Sequence, residues 1–524
     1  MTKAPWCDEG AFANPSYNLA FLGKMSANVI NPSGHFLNAN LQGIQQRFYI
    51  VVPNHLVALA AWFKVFGFSL FAMRAYSILW GAFSLVALFY IVRKLLPVNG
   101  LAQLATLLTA IDFVYLWSSA DGRMESTANA LALGSIASYL YFRERNFGRA
   151  VWVSQLLSAA AVFTHPNAIL VQLILAVIVW RFDRAQIRWK HLVLAVIPYG
   201  FFGSLWLVYI VQSPHDFVAQ FFSNAAGRNS SRWKTIVQPW LAVWKEFVRE
   251  VAVYVAGGLW GGVLNKWLVL IPVFYATALI AFFRSQKTAQ SRTFQWCLVA
   301  LVLGMTLLNG FKAPMYMIYL LPFYNVVLAL GFICLWHAGI DGKVFAAAAM
   351  SGLVALQILA SVEHIRADEY HRDYLPAIAD LKLERSQGKS MVGTVALGFG
   401  LGFTGFQDDW RLGEYSHLKP DVLVLDRSYR DFASRFEKDE PQVFLHIVST
   451  LTTNYELKKR FGTFWIFERV SNPTGRELLD VKDIAMKEKG KQAEYLFEQI
   501  ERAADKAAAK TSEDTSTHAA FRHP

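Results

Sequence analysis

Between residues 74 and 363 the chain repeats one pattern: a long apolar run, a short polar connection, and another apolar run. About 20 mostly apolar residues in a helix cover the hydrocarbon of a bilayer. Runs of this kind are expected at 74–94, 101–119, 125–143, 149–164, 166–182, 192–212, 259–284, 293–310, 315–337 and 343–363. Pro166 separates the fourth from the fifth, and both are short. The stretch 54–66 carries His55 and Lys64 and is too short to cross, so it reads as an interfacial or re-entrant helix. Composition agrees: 55% of residues are hydrophobic and only 17% are charged, against about 25% in an ordinary soluble protein. The fold class this predicts is a polytopic α-helical membrane protein of about ten spans.

The connections alternate in charge. Arg93 and Lys94, then Arg143, Arg145 and Arg149, then Arg181, Arg184, Arg188 and Lys190, then Arg284, Lys287 and Arg292, then Lys343 fall in one set of loops. The other set, 120–124, 164–167 and 309–314, carries at most one basic residue each. Basic short loops stay cytoplasmic. The second set therefore faces outward, with residues 1–73, the long loop 213–257 and everything after 363. An impermeant thiol reagent checks this in a background lacking Cys7, Cys297 and Cys334. Ser230→Cys is expected to label in intact cells and Ser285→Cys to stay unlabelled. The opposite pattern inverts the topology.

The net charge of +12 does not indicate nucleic-acid binding, which needs basic residues clustered on an exposed face; here they punctuate apolar runs. Three cysteines make no disulfide framework. Residues 364–470 lose the apolar runs. Val392–Val395, Val422–Leu425 and Thr463–Phe467 read as short strands, with polar helical stretches at Tyr374–Arg385 and Tyr429–Phe436. This predicts a small soluble α/β domain on the outer side. Residues 471–524 read as a charged tail without an apolar stripe, part helical and part disordered. The glycine-rich Leu397–Gly402 lacks the spacing of a phosphate-binding fingerprint.

Ionisable groups gather in the outward loops: Asp8 and Glu9, then Asp121, Arg123 and Glu125, then His165 in Thr-His-Pro-Asn, then Lys312 ahead of Tyr316 and Tyr319. Charge near a membrane costs free energy unless solvated or paired, so it marks candidate sites. Each has an ordinary alternative. Asp121 can be a solvated loop charge, Arg123 and Glu125 a local ion pair capping the helix that follows, and His165 a helix-entry residue before proline. Trp233, Trp240 and Trp244 in the long loop read either as a sugar-stacking surface or as an interfacial aromatic belt.

The order of these features resembles the protein O-mannosyltransferase-like, GT-C membrane glycosyltransferases of bacteria. Its elements are Asp8-Glu9 with Asn-Pro-Ser-Tyr following, the Phe48-Tyr49-Ile-Val-Val-Pro53 segment, Phe66-Gly67, and Arg74 opening a span. Ser118–Glu125 resembles that family's second acidic loop, Lys312–Pro322 its late Lys-x-x-x-Tyr…Pro segment, and Pro420–Asp426 with Phe461–Glu468 its soluble domain. The resemblance extends to about residue 470. In that family the acidic pair closes a first transmembrane helix. Only seven residues precede Asp8, so an in-frame extension of about 20 apolar residues upstream is expected.

The resemblance implies transfer of one sugar from a polyprenyl-phosphate-linked donor to an acceptor outside the membrane, with inversion at the anomeric carbon. It implies Asp8 as the base, with Glu9 as the alternative and Glu125 as a further catalytic carboxylate. Tyr49, Arg74, Arg123, His165, Arg228, Arg232, Lys312 and Tyr316 are its candidate substrate-binding residues. A divalent cation, Mg or Mn, shared by Asp8 and Glu125 is a further expectation. The expected partners are the donor lipid, an acceptor of unassigned type and the surrounding membrane lipids. A lipid-linked glycan polymerase or ligase, a transporter and an inactive homologue are the competing readings. A transporter predicts internal repeats with interrupted helices, which the sequence does not display.

Overall fold

The computed structural model describes all residues except 1, 35–39, 226–236, 256–265, 286–287, 471–486, 488–489, 503–504 and 506–524. The chain divides into two compact units, one of Tyr49–Arg366 and one of Met1–Phe48 with Ala367–Pro524.

The Tyr49–Arg366 unit is helical. It opens with α2 (Asn54–Phe66), α3 (Leu70–Leu95), α4 (Leu101–Ile111), α5 (Phe113–Ala120), α6 (Met124–Phe142), α7 (Phe147–Val162), α8 (Gln172–Phe182) and α9 (Trp189–Ile210). Helices Pro239–Val255, Leu270–Ser285, Ala289–Leu307, Leu321–Trp336 and Ile340–Ala367 follow. Each apolar stretch expected to cross the membrane contains a helix. Among the described residues four helices are long and apolar enough to span, those starting at Leu70, Trp189, Trp267 and Ile340. A fifth span arises if α4 and α5, bent by 64° at Asp112, count as one. These apolar helices make the chain a multi-pass integral membrane protein.

Helix α6 falls short on composition because it is rich in Ser, Thr, Ala and Asn, and most of it is buried inside the unit. Small side chains let α3 pack closely on α5 and α6: a Cβ on Gly81 would lie 2.8 Å from Ser119 Cβ of α5, and Ser126 Oγ of α6 donates to Ser77 O at 2.7 Å. Close approach of small residues is how helices associate where lipid removes the hydrophobic drive. Leu321–Trp336 has only 16 residues and is buried over Leu321–Leu330, so most of it is a core helix, with Cys334 and Trp336 exposed at its end.

The other unit holds a four-stranded sheet in the order β1-β2-β4-β3, with β1 Met391–Gly393, β2 Val422–Leu425, β3 Tyr455–Phe461 and β4 Phe464–Arg469. The β1–β2 pair is parallel, and β4 is antiparallel to both β2 and β3. Helices Arg427–Asp439 and Pro441–Thr453 cover it through Phe436, Phe444 and Ile447. Residues 492–502 are helical, as expected of part of the tail, but the expected lack of an apolar stripe is corrected there. Ala493, Leu496, Phe497 and Ile500 enter the same core, at the i, i+3, i+4, i+7 spacing of an apolar stripe.

Helix α1 (Cys7–Leu22) belongs to this unit. It lies so close to the 395–397 turn that a Cβ on Gly10 would sit 2.6 Å from Ala396 N, so only glycine fits there. Asn14 and Asn18 both donate to Asn28 Oδ1, at 2.9 and 2.7 Å, and Asn28 donates to Phe403 O at 2.7 Å. The glycine-rich 397–402 segment packs Gly398 against the Phe403 ring and Gly400 against Ile378. Its glycines therefore serve close packing.

Candidate functional site

Within the Tyr49–Arg366 unit, a cavity of about 240 Å³ is lined by His165, Asn167, Asn224, Asn309 and Tyr316, with Val51, Met124 and Phe311 among its apolar walls. Three irregular segments deliver the polar groups. After α5, Gly122 adopts φ +64°, which L side chains avoid, and this reverses the chain into α6. Arg123 is the N-cap position and Glu125 lies in the first turn, where the helix dipole favours a carboxylate. Arg123 grips Glu125 with both arms, Nη2 to Oε1 at 2.6 Å and Nε to Oε2 at 3.0 Å, and both side chains are buried. His165 caps the 3-10 turn Pro166–Val171 by accepting from Asn167 N at 3.1 Å through Nδ1. Its Nε2 lies 3.9 Å from Glu125 Oε1. With Nδ1 engaged as an acceptor, neutral His165 carries its proton on Nε2, pointing at Glu125. The rings of Tyr316 and Tyr319 stand 5.3 and 6.3 Å from the imidazole.

Lys312 anchors a second set of polar groups. Its Nζ donates to Met305 O at 2.5 Å and Thr306 O at 2.8 Å, and pairs with Glu246 at 2.9 Å. The two carbonyls belong to the last turn of Ala289–Leu307, a favourable place for a cation. Glu246 also pairs with Arg249, and Tyr324 Oη donates to Glu250 at 2.9 Å. Deeper in the unit, Asp112 caps α5 by accepting from Tyr115 N at 2.8 Å. It also accepts from Tyr275 Oη at 2.7 Å, Tyr254 Oη at 3.1 Å and Gln357 Nε2 at 3.1 Å. Four donors hold this buried carboxylate at the helix break.

The remaining expected site residues are placed as follows. Tyr49 is fully buried, with its hydroxyl committed to Tyr209 O at 3.0 Å, so its neighbours Ile50–Val52 form the cavity wall instead. Arg74 is buried in the first turn of α3. Arg228 and Arg232 lie outside the described residues. Asp8 and Glu9 belong to the other unit, at the head of α1. Glu9 is fully buried and accepts from Trp6 N at 3.3 Å, capping its own helix, whereas Asp8 is half-buried. Each oxygen of Glu125, the carboxylate expected to share a divalent cation with Asp8, accepts one hydrogen bond from Arg123. Among the described residues no group of three or more His, Cys, Asp or Glu side chains is placed to hold a metal.

Sequence reasoning passed over Asp112, Glu246, Arg249 and Glu250. Asp112 is a lone carboxylate inside an apolar run, a signal that marks a buried partner set. The other three share one face of a helical period opposite Trp240, Trp244 and Phe247.

Near α1, Asp426 caps the helix Arg427–Asp439 by accepting from Tyr429 N at 3.0 Å. Burial raises its pKa to about 6, and the Asp408 carboxylate adds to the rise. The folded state then holds a proton that the unfolded state, near the ordinary 3.8, releases. Stability from this group is complete below about 4 and is lost as pH rises through 6. A two-unit shift corresponds to about 3 kcal/mol at most. Asp426→Asn keeps the cap acceptor and removes the titration. Melting curves are expected to coincide with the parent at pH 4 and to lie above it at pH 7.5. Equal pH dependence of the two proteins would refute this.

No family model matches the chain, and no curated protein matches its sequence. Among solved structures, it is similar to ArnT from Cupriavidus metallidurans, a GT-C protein crystallised with undecaprenyl phosphate. The TM-score is 0.51 at 12% identity, over 90% of this chain and 95% of that one. The likeness establishes that the chain shares the overall fold of that membrane-lipid-binding protein.

Proposed function

We propose that the protein moves a single sugar from a polyprenyl-phosphate-linked donor to an acceptor at the outer face of the membrane, with about ten spans in all. The observation that carries this is a fold shared over nearly the whole chain with a protein that binds undecaprenyl phosphate. A prenyl tail must stay in hydrocarbon while its phosphate meets polar groups, and the cavity at His165 and Tyr316 combines polar groups with apolar walls.

The acceptor hydroxyl attacks the anomeric carbon as the bond from that carbon to the phosphate oxygen breaks. The stereocentre inverts, the polyprenyl phosphate leaves with the bonding pair, and the hydroxyl proton passes to a carboxylate base. Asp8 is that base in this reading, with Glu9 as the alternative and Glu125 as a further catalytic carboxylate. Negative charge grows on the phosphate, and cations positioned for it lower the barrier. Arg74, Arg123 and Lys312 are the candidates. The three donors of Lys312 are filled by two carbonyls and Glu246, so it meets a phosphate by exchanging Glu246 for it.

The test is sugar transfer by the purified protein in liposomes, supplied with radiolabelled polyprenyl-phosphate sugars. Appearance of label on an acceptor fraction, dependent on the lipid-linked donor, supports the reading. Equal labelling from a nucleotide sugar with no polyprenyl carrier refutes it.

A further inference from the structure

The helix Pro239–Val255 has its polarity reversed relative to a soluble protein. Trp240, Val243, Trp244, Phe247 and Val248 are exposed, at 68, 56, 60, 56 and 42%. These positions follow the i, i+3, i+4, i+7, i+8 spacing of a single face. The opposite face carries Glu246 and Arg249, at 4 and 3% exposure, with Ala242 and Val253. Water would select the reverse arrangement, because charge is costly to bury and apolar surface costly to expose. An outward face this apolar is stable only against hydrocarbon. Two tryptophans on it are the residues that anchor segments at the headgroup level.

The inner face is equally specific. Glu246 pairs with Lys312 at 2.9 Å and with Arg249, and Glu250 accepts from Tyr324 at 2.9 Å. The helix packs on Leu270–Ser285, on Ala289–Leu307 and on the Pro314–Tyr319 turn. It thus packs beside two apolar helices of the unit while its stripe stays exposed.

We infer that the helix Pro239–Val255 is seated in the membrane interface by its Trp240–Val248 stripe, and that this seating holds Glu246 on Lys312. The partner is the bilayer itself. Contact with lipid thereby sets the state of the lysine assigned to the donor phosphate, which is the part that rests on the proposed function. Removing the lipid contact lifts the helix, breaks the Glu246 pair and exposes the Lys312 ammonium.

Two measurements test this, and neither requires sugar transfer. The first uses nitroxide spin labels at Val243→Cys and Phe247→Cys, with native cysteines replaced, in nanodiscs of phosphatidylethanolamine and phosphatidylglycerol. Oxygen, which concentrates in hydrocarbon, is expected to relax both labels more than a water-soluble nickel chelate does. Relaxation by the chelate as strong as at the exposed position Lys438→Cys overturns the seating, as does shielding from both reagents, which would mean a protein partner. The second is acetylation of Lys312 by an amine-reactive reagent, read by mass spectrometry. Lys312 is expected to be protected in the parent and to lose that protection in Trp244→Lys/Phe247→Lys, while the melting temperature shows the variant folded. Unchanged reactivity in the folded variant overturns the coupling. If it does not fold, Glu246→Gln in the parent background is the second probe, and continued protection there overturns the coupling likewise. Should transfer itself fail while both results hold, the donor assignment falls and the seated helix stands.

Discussion

Asp8→Asn is expected to lower the rate of sugar transfer by about 10²–10⁴-fold, the usual contribution of a positioned general base. The substitution keeps the size and reach of the side chain and removes only its basicity. Since the acceptor proton moves only in the transition state, donor affinity should stay near the parental value while turnover falls. Glu9→Gln provides the internal comparison. Its carboxylate is buried and bonded to Trp6 N at 3.3 Å, so the variant should shift stability more than rate. Single-turnover kinetics with labelled donor, together with equilibrium donor binding, separate the two. A parental rate for Asp8→Asn alongside a slow Glu9→Gln moves the base one residue along. If both transfer normally, the catalytic carboxylate lies outside this pair.

The second large effect concerns Arg123. Its guanidinium holds both oxygens of Glu125, and the two side chains are 8 and 1% exposed. Arg123→Met strands a buried carboxylate without its counter-charge, a change that typically costs about 3–5 kcal/mol. The variant is expected to melt well below the parent in detergent, and Arg123→Met/Glu125→Gln to recover much of the loss, because the uncompensated charge is then gone. A double variant no more stable than Arg123→Met would mean that the guanidinium acts through contacts other than Glu125. Glu125→Gln alone also tests the cation expectation. An excess of Mg or Mn should not rescue it, since in the folded protein the carboxylate is already saturated by Arg123.

The sequence located most elements because the signal for them is local. Apolar runs of helix-spanning length occur where helices form, and Pro166 marks a real interruption, with a 3-10 turn preceding α8. Strand β2 falls at Val422–Leu425 as expected, a buried run of β-favouring residues. Strand β3 was missed because Lys458, Lys459 and Arg460 make it look like a polar loop. It is an edge strand of the sheet, and edges carry charge to block pairing with other chains. In the tail, the helix was expected but the apolar stripe at 493–500 was missed, because it is narrow and flanked by charge.

The candidate site divides along the same line. Local order alone determined that Arg123 and Glu125 could pair, since two residues and a helix start bring them together, and it set His165 and Lys312 at the ends of apolar segments. Only the tertiary structure decided which groups saturate which. Lys312 meets Glu246, 66 positions away along the chain, and Asp112 collects donors from Tyr254, Tyr275 and Gln357. Packing also assigned α1, with Asp8 and Glu9, to the unit that contains the sheet. The physical reason is that periodicity and charge fix how a segment meets lipid or water, whereas a buried polar group takes whichever partner the packed helices bring within about 3 Å, and no local pattern encodes that choice.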